Sequence, residues 1–113
     1  WVILAGNSGV HQFCKIGAHA FVGMYSGVNK DVPPFVTTIG MPAGPAAINT
    51  EGMKRRGFES DEIMAVRRAY KAFYRKSLGV DEAIESLSED AEKYPAVQLM
   101  IDFVKSSERG IVR

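Results

Sequence analysis

Between Asn49 and Phe58 the chain gathers an amide, a carboxylate and three cations within eight residues, as Asn49, Glu51, Lys54, Arg55 and Arg56, flanked by Gly52 and Gly57. Adjacent arginines can donate planar forks to phosphate oxygens, and an amide with a carboxylate can read ribose hydroxyls or the edge of a base. A nucleotide with a pyrophosphate would use all of them, with glycines letting the backbone approach it. The same run also fits a solvated basic linker that caps the first helix.

Two histidines, His11 and His19, offer imidazoles near neutral pH, and His11 precedes Gln12. One well-placed imidazole suffices for base catalysis. Two histidines without an acidic or thiol cluster give little support for a metal site. The lone Cys14 has no partner for an internal disulfide; it reads as a small buried hydrophobe in a reducing compartment. Arg67, Lys71 and Arg75 follow one another at helical spacing with Arg68 alongside, either as a solvated face or as a docking strip for an acidic partner.

The elements that position these residues begin with a six-residue beat. Leu4, Val10, Ile16, Val22 and Val28 are aliphatic at intervals of six, with small or β-branched residues around them. Such a hexapeptide period belongs to a parallel β-solenoid in which each hexad supplies a short strand and a corner. Residues 1–34 are read as the last coils of this solenoid, ending at Asp31-Val32-Pro33-Pro34 where two prolines remove donors. Residues 35–48 form a connecting strap with one short strand at Phe35 to Ile39.

From Asn49 to Arg113 the pattern is helical. Ser60 is expected to cap a first helix carrying Asp61 and Glu62 in its first turn and Ile63, Val66, Tyr70 and Phe73 on its inner face, to a stop near Ser77 and Gly79. Asp81 is expected to cap a second, with Ile84, Leu87 and Ala91 inward, ending before Pro95. The third runs from about Ala96 through Val97, Met100, Ile101 and Val104, completing a three-helix bundle.

The formal charge is only +1, yet residues 51–76 hold eight Lys or Arg against four acids and residues 77–113 hold four against eight. Near neutrality and the lack of aromatic residues interleaved with the cations argue against nucleic acid as a partner. No run of about 18 apolar residues suggests membrane insertion. The beat is already in phase at Val2, so the chain is read as the C-terminal part of a longer protein.

These residues identify a family. The chain closely resembles the C-terminal part of bacterial UDP-N-acetylglucosamine O-acyltransferases of lipid A biosynthesis. The resemblance rests on Val10-His11-Gln12-Phe13-Cys14, Ile16-Gly17-Ala18-His19, Ser26-Gly27-Val28, Asp31-Val32-Pro33-Pro34, Asn49, Glu51-Gly52, Lys54-Arg55-Arg56-Gly57-Phe58 and Arg109-Gly110-Ile111-Val112-Arg113. It implies a left-handed parallel β-helix followed by a small helical domain, assembled in the cytoplasm as a homotrimer with sites between neighbouring chains. Members transfer an (R)-3-hydroxyacyl group from acyl carrier protein to the glucosamine 3-hydroxyl of UDP-N-acetylglucosamine, with no metal or redox cofactor.

Carried over by the resemblance, His11 and Gln12 line the sugar and phosphate end of the site. Asn49 and Glu51 contact the ribose, Arg55 and Arg56 bind phosphates and face the carrier, and Arg67 docks the carrier. Met24 occupies the position that sets acyl length. The family's general base lies upstream of Trp1, so no catalytic residue is expected in this chain, and the chain alone is expected to be inactive. Two rivals stand beside this reading: the N-acyltransferase of the same pathway, which is not expected to contain the Asn49 to Phe58 run, and a non-catalytic, trimerising, ligand-binding solenoid piece.

Overall fold

In a computed structural model that describes residues 1–76 and 78–113, the six-residue beat becomes parallel pairing at a spacing of eighteen. Strand β1 (Ile3–Leu4) and strand β2 (Gly9–Val10) each meet a partner three hexads later. β3 (Phe21–Val22) lies against β1, and β4 (Gly27–Val28) against β2. A third line of contact joins Ile16 to Val32, so the short strands fall on three faces. The backbone turns between hexads at Asn7, Phe13, His19 and Tyr25, all with φ between 57° and 67°. This left-handed conformation costs a non-glycine residue about 1–2 kcal/mol. Bonds within and between turns hold it, such as the Tyr25 amide donating to the Gly6 carbonyl at 3.0 Å.

Asp31-Val32-Pro33-Pro34 does not end the beat, contrary to the sequence expectation. Val32 pairs with Ile16, and Thr37 and Thr38 with Phe21 and Val22, at a spacing of sixteen. The corner after Val28 has lost two residues, and Val32 and Thr38 take the next two beat positions. The prolines occupy the following corner, which turns at Phe35 with φ 67°. A Cβ on Gly17 would lie 2.3 Å from the Pro34 nitrogen, so Gly17 is what lets this corner close against the coil above.

The strap contains two strands, not one. β5 (Val36–Ile39) extends the β1–β3 ladder, and β6 (Gly44–Ile48) returns antiparallel along β5 with a bulge at Thr37/Thr38. β6 thereby covers the lower edge of the first face. On the second face, Gly27 donates to the Gly40 carbonyl and accepts from the Ala43 amide, both at 2.8 Å. On the third, Asp31 donates to Gly110 at 3.0 Å and accepts from the Val112 amide at 2.8 Å. All three edges are therefore closed by the chain's own backbone.

Five helices follow where three are expected. They are α1 (Thr50–Arg55), α2 (Ser60–Tyr74), α3 (Val80–Ser86), α4 (Ser88–Lys93) and α5 (Pro95–Ser106). Ser60 lies inside α2, whose N-cap is Glu59, and Asp81 lies inside α3, whose N-cap is Gly79; neither cap residue makes a side-chain bond. The stop expected at Ser77 falls outside the described residues. Leu87 interrupts the expected second helix, separating α3 from α4. Pro95 occupies the first turn of α5, where a missing N–H costs nothing. The start of α5 finds a carboxylate, because Glu62 accepts from the Ala96 amide at 3.1 Å.

Ile63, Val66, Tyr70 and Phe73 of α2 bury against Val97, Met100, Ile101 and Val104 of α5 in a core continuous with Val22, Val28 and Val32. Burial falls toward the upper end of the ladders: Val22 is 0% exposed, Val10 38% and Leu4 54%. Cys14 is half-buried, less enclosed than its reading as a core residue requires.

Asp31 fastens the C-terminal segment to the ladders with its side chain as well. Its carboxylate, 2% exposed, accepts from the Lys15 amide at 2.8 Å and from the Ser107 hydroxyl at 2.6 Å. In Asp31→Asn one oxygen becomes a donor facing a donor, which should cost about 2 kcal/mol. A lower urea midpoint at unchanged slope, with faster hydrogen exchange at Val112, is the expected outcome. An unchanged midpoint would show that the carboxylate does not secure the tail.

Candidate functional site

Strand β6 runs back to the corner from which β5 departed. It delivers Asn49 beside Phe35, whose carbonyl accepts from the Asn49 amide at 2.6 Å. The Asn49 side chain then joins two elements: its Nδ2 donates to the His19 carbonyl at 2.9 Å, and its Oδ1 accepts from the Gly52 amide at 3.0 Å, capping α1. A Cβ on Gly52 would lie 2.4 Å from that Nδ2. The glycine expected to admit a ligand therefore admits the capping amide, while Gly57, with φ 83°, ends the helix.

With its first turn tied to the corner, α1 projects Glu51, Arg55 and Arg56 along one cavity. Its volume is about 290 Å³, and its opposite wall contains Trp1, Ile3, His19 and Phe21. Glu51 and Arg55 form an exposed ion pair at 3.4 Å, a weak contact that an incoming anion could replace. The Arg56 guanidinium stacks 3.5 Å from the centre of the Trp1 ring. Two arginines thus border a concave space with an aromatic wall and with Asn49 and Glu51 at its rim.

His19 forms the floor of the corner. Its ring stacks on Phe35 at 5.4 Å and meets the edge of Phe58 at 5.2 Å. Burial, reinforced by Arg56, holds the imidazole below its ordinary pKa. Trp1, His19 and Phe58 are not among the site residues that the resemblance implies. The available signal was the corner phase: His19 and Phe35 occupy equivalent turns of successive coils.

The structure separates the remaining expected site residues from this cavity. His11 follows Val10 on the second face and lines a shallow space of about 670 Å³ with Asn7, Ser26, Val28 and Met41. Its Nδ1 lies 3.0 Å from the Gln12 carbonyl, and both side chains are exposed. Met24 is 63% exposed at the corner between the first two faces, its Cγ 4.0 Å from where a Cβ on Gly6 would lie. Arg67 reaches the Thr50 hydroxyl at 3.4 Å, on the α2 side of α1. One chain therefore brings Asn49, Glu51, Arg55 and Arg56 together and leaves His11, Gln12, Met24 and Arg67 elsewhere. Among the described residues no three metal-ligating side chains are grouped to hold a metal ion. No described helix is long and apolar enough to cross a membrane.

Residues 31–112 match the family model described as UDP N-acetylglucosamine O-acyltransferase, domain 2. Over all 113 residues the chain is 52% identical to the acyl-(acyl-carrier-protein)–UDP-N-acetylglucosamine O-acyltransferase of Pseudomonas fluorescens and 50% identical to that of Thiobacillus denitrificans, spanning 44% of the length of each. The crystal structure of UDP-N-acetylglucosamine O-acyltransferase from Moraxella catarrhalis superposes with a TM-score of 0.94 at 45% identity, over 99% of this chain and 44% of that one. On the family match and these identities, the chain belongs to the UDP-N-acetylglucosamine O-acyltransferases.

Proposed function

We propose that this chain is the C-terminal part of an enzyme that moves an (R)-3-hydroxyacyl group from acyl carrier protein to the 3-hydroxyl of UDP-N-acetylglucosamine, the first step of lipid A biosynthesis. The observation that carries the reading is the cavity where Asn49, Glu51, Arg55 and Arg56 converge beside an aromatic wall. In this reading Arg55 and Arg56 hold the diphosphate, Glu51 meets the ribose, and Asn49 supports both by fixing the helix that bears them. The acceptor hydroxyl loses its proton to a histidine of coils preceding Trp1 and attacks the thioester carbonyl. The C–S bond then breaks and the carrier thiol leaves with a proton.

The parallel ladders are, on this proposal, the last coils of a left-handed β-helix, and the protein is a cytoplasmic homotrimer. Support comes from the separation of the expected residues. His11, Gln12 and Met24 lie on or beside a different face from the α1 cavity, so a neighbouring copy would complete the site. Arg67, and Arg55 and Arg56 at the rim, serve to dock the carrier.

Met24 acts as the acyl ruler in this scheme. Met24 is exposed in one chain, and where a neighbouring copy packs against it, forcing extra methylenes past it costs about 1–3 kcal/mol, so the native enzyme should prefer shorter donors than its Met24→Gly variant. Unchanged donor preference between the two would dismiss the ruler.

Full-length protein with 3-hydroxyacyl carrier should acylate UDP-N-acetylglucosamine and leave a glucosamine amine untouched; the opposite acceptor preference would favour an N-acyltransferase. Residues 1–113 alone should give no turnover. Arg56→Ala should raise KM for the nucleotide sugar about tenfold or more, the scale of one charge-assisted hydrogen bond. If KM stayed constant, Arg56 would not be a phosphate ligand.

A further inference from the structure

Helix α2 and its C-cap residue Arg75 bear four cations, of which Arg68 alone is paired with a carboxylate among the described residues. Arg68 makes a two-pronged contact with Asp90 of α4, at 2.8 and 3.0 Å, whose hydrogen bonds hold the Asp90 carboxyl below its ordinary pKa. Among the described residues Arg67, Lys71 and Arg75 have no carboxylate at ion-pair distance. These three face a groove between α2 and β6 with a volume of about 290 Å³, whose other wall is Ala46, Ala47 and Ile48. Like charges four residues apart on a helix repel one another. Their shared orientation into a concavity is therefore a cost that an anionic occupant would remove.

The adjoining cleft strengthens the case. Pro45, Tyr70, Tyr74, Arg75 and Arg113 line it, and the Tyr74 hydroxyl is buried without a hydrogen-bond partner among the described residues. Orphaned buried hydroxyls are exceptions that call for an explanation. Arg113 adds a fourth cation, donating to the Phe73 carbonyl at 3.2 Å with its guanidinium 5.9 Å from the Tyr74 ring.

The shape and chemistry of the groove define its occupant. Its volume falls at the lower end of the range for small-molecule pockets and is too small for a folded partner. A guanidinium fork beside an ammonium suits phosphate oxygens, and the alanine methyls suit a thin apolar arm. We propose that the α2–β6 groove binds a small soluble phosphate ester, with the phosphate between Lys71 and Arg75 and the arm over Ala46 and Ala47. The site shares no lining residue with the Asn49 to Arg56 cavity. Its existence does not depend on the acyl-transfer reading.

Titration of the full-length protein with n-butyl phosphate, inorganic phosphate and 1-butanol tests the site through the methyl resonances of Ala46 and Ala47. Butyl phosphate should shift both signals saturably and bind about tenfold more tightly than inorganic phosphate, from burial of part of the arm. Butanol should leave them unmoved. Lys71→Gln combined with Arg75→Gln should weaken butyl phosphate about tenfold or more, whereas Arg68→Gln, which breaks only the Asp90 pair, should not. The single Lys71→Gln variant, with one exposed cation removed, should give an intermediate loss and provides the test if the double variant does not fold. The proposal is overturned by non-saturable shifts, by equal binding of both phosphates, by equal binding in the charge variants, or by butanol acting like the ester.

Discussion

A parallel ladder cannot stop without leaving a row of N–H and C=O groups unpaired, and closing that edge is the constraint on which the rest of this chain depends. Three faces need three closures. The first comes from β6 as a hairpin, the second from the Gly40 to Ala43 loop, and the third from Gly110 to Val112, some seventy residues further along. The last closure ties the C-terminal end of the helical region to the ladders, as the first ties its start. Asp31 lies at that junction because the corner after Val28 is two residues short, which brings its carboxylate within reach of both Lys15 and Ser107. A buried carboxylate is tolerated there because its hydrogen bonds replace those lost from water.

The candidate site is a by-product of the first closure. An antiparallel return strand necessarily ends near the start of the strand it pairs with, so β6 brings Asn49 back to the Phe35 corner. His19 occupies the equivalent corner one coil above, and the stacked His19 and Phe35 rings mark the line along which α1 is anchored. Asn49 uses its donor and its acceptor together to join that corner to the first turn of α1. The orientation of Arg55 and Arg56 thus follows from backbone pairing before any ligand is considered.

How much of this could be read from sequence differs by element, for physical reasons. The beat was legible because tube interiors select aliphatics at a fixed period; its continuation was hidden because Thr38, fully buried, fills a beat position with a hydroxyl and the two-residue omission breaks the phase. The inner faces of α2 and α5 were legible from periodicity. The caps of α2 and α3 fall one and two residues before the expected Ser60 and Asp81, because Glu59 and Gly79 occupy the cap positions without side-chain bonds, leaving tertiary packing to set the boundary. The clustering of Glu51, Arg55 and Arg56 was legible because one short helix and its C-cap hold them. The scattering of His11 and Met24 from that cluster required the register of eighteen, which assigns each hexad to a face, and no alignment of the two groups by chain distance could reveal it.

The cavity beside α1 joins the best-supported and least-supported parts of the chain. One wall contains the corner secured by Asn49, Gly52, His19 and Phe35, where every close contact is paid for by a named hydrogen bond or ring stack. The other wall contains Trp1 and Ile3, at the strand farthest from the closed edge. Stability within a fold follows local burial and pairing, so the anchored wall determines where the arginines stand. Arg56 spans the two, its backbone on the anchored helix and its guanidinium on the Trp1 ring. A phosphate entering this cavity would compete with an aromatic face for that guanidinium, and the exchange favours the anion because a charge-assisted fork is stronger than a largely exposed cation–π contact.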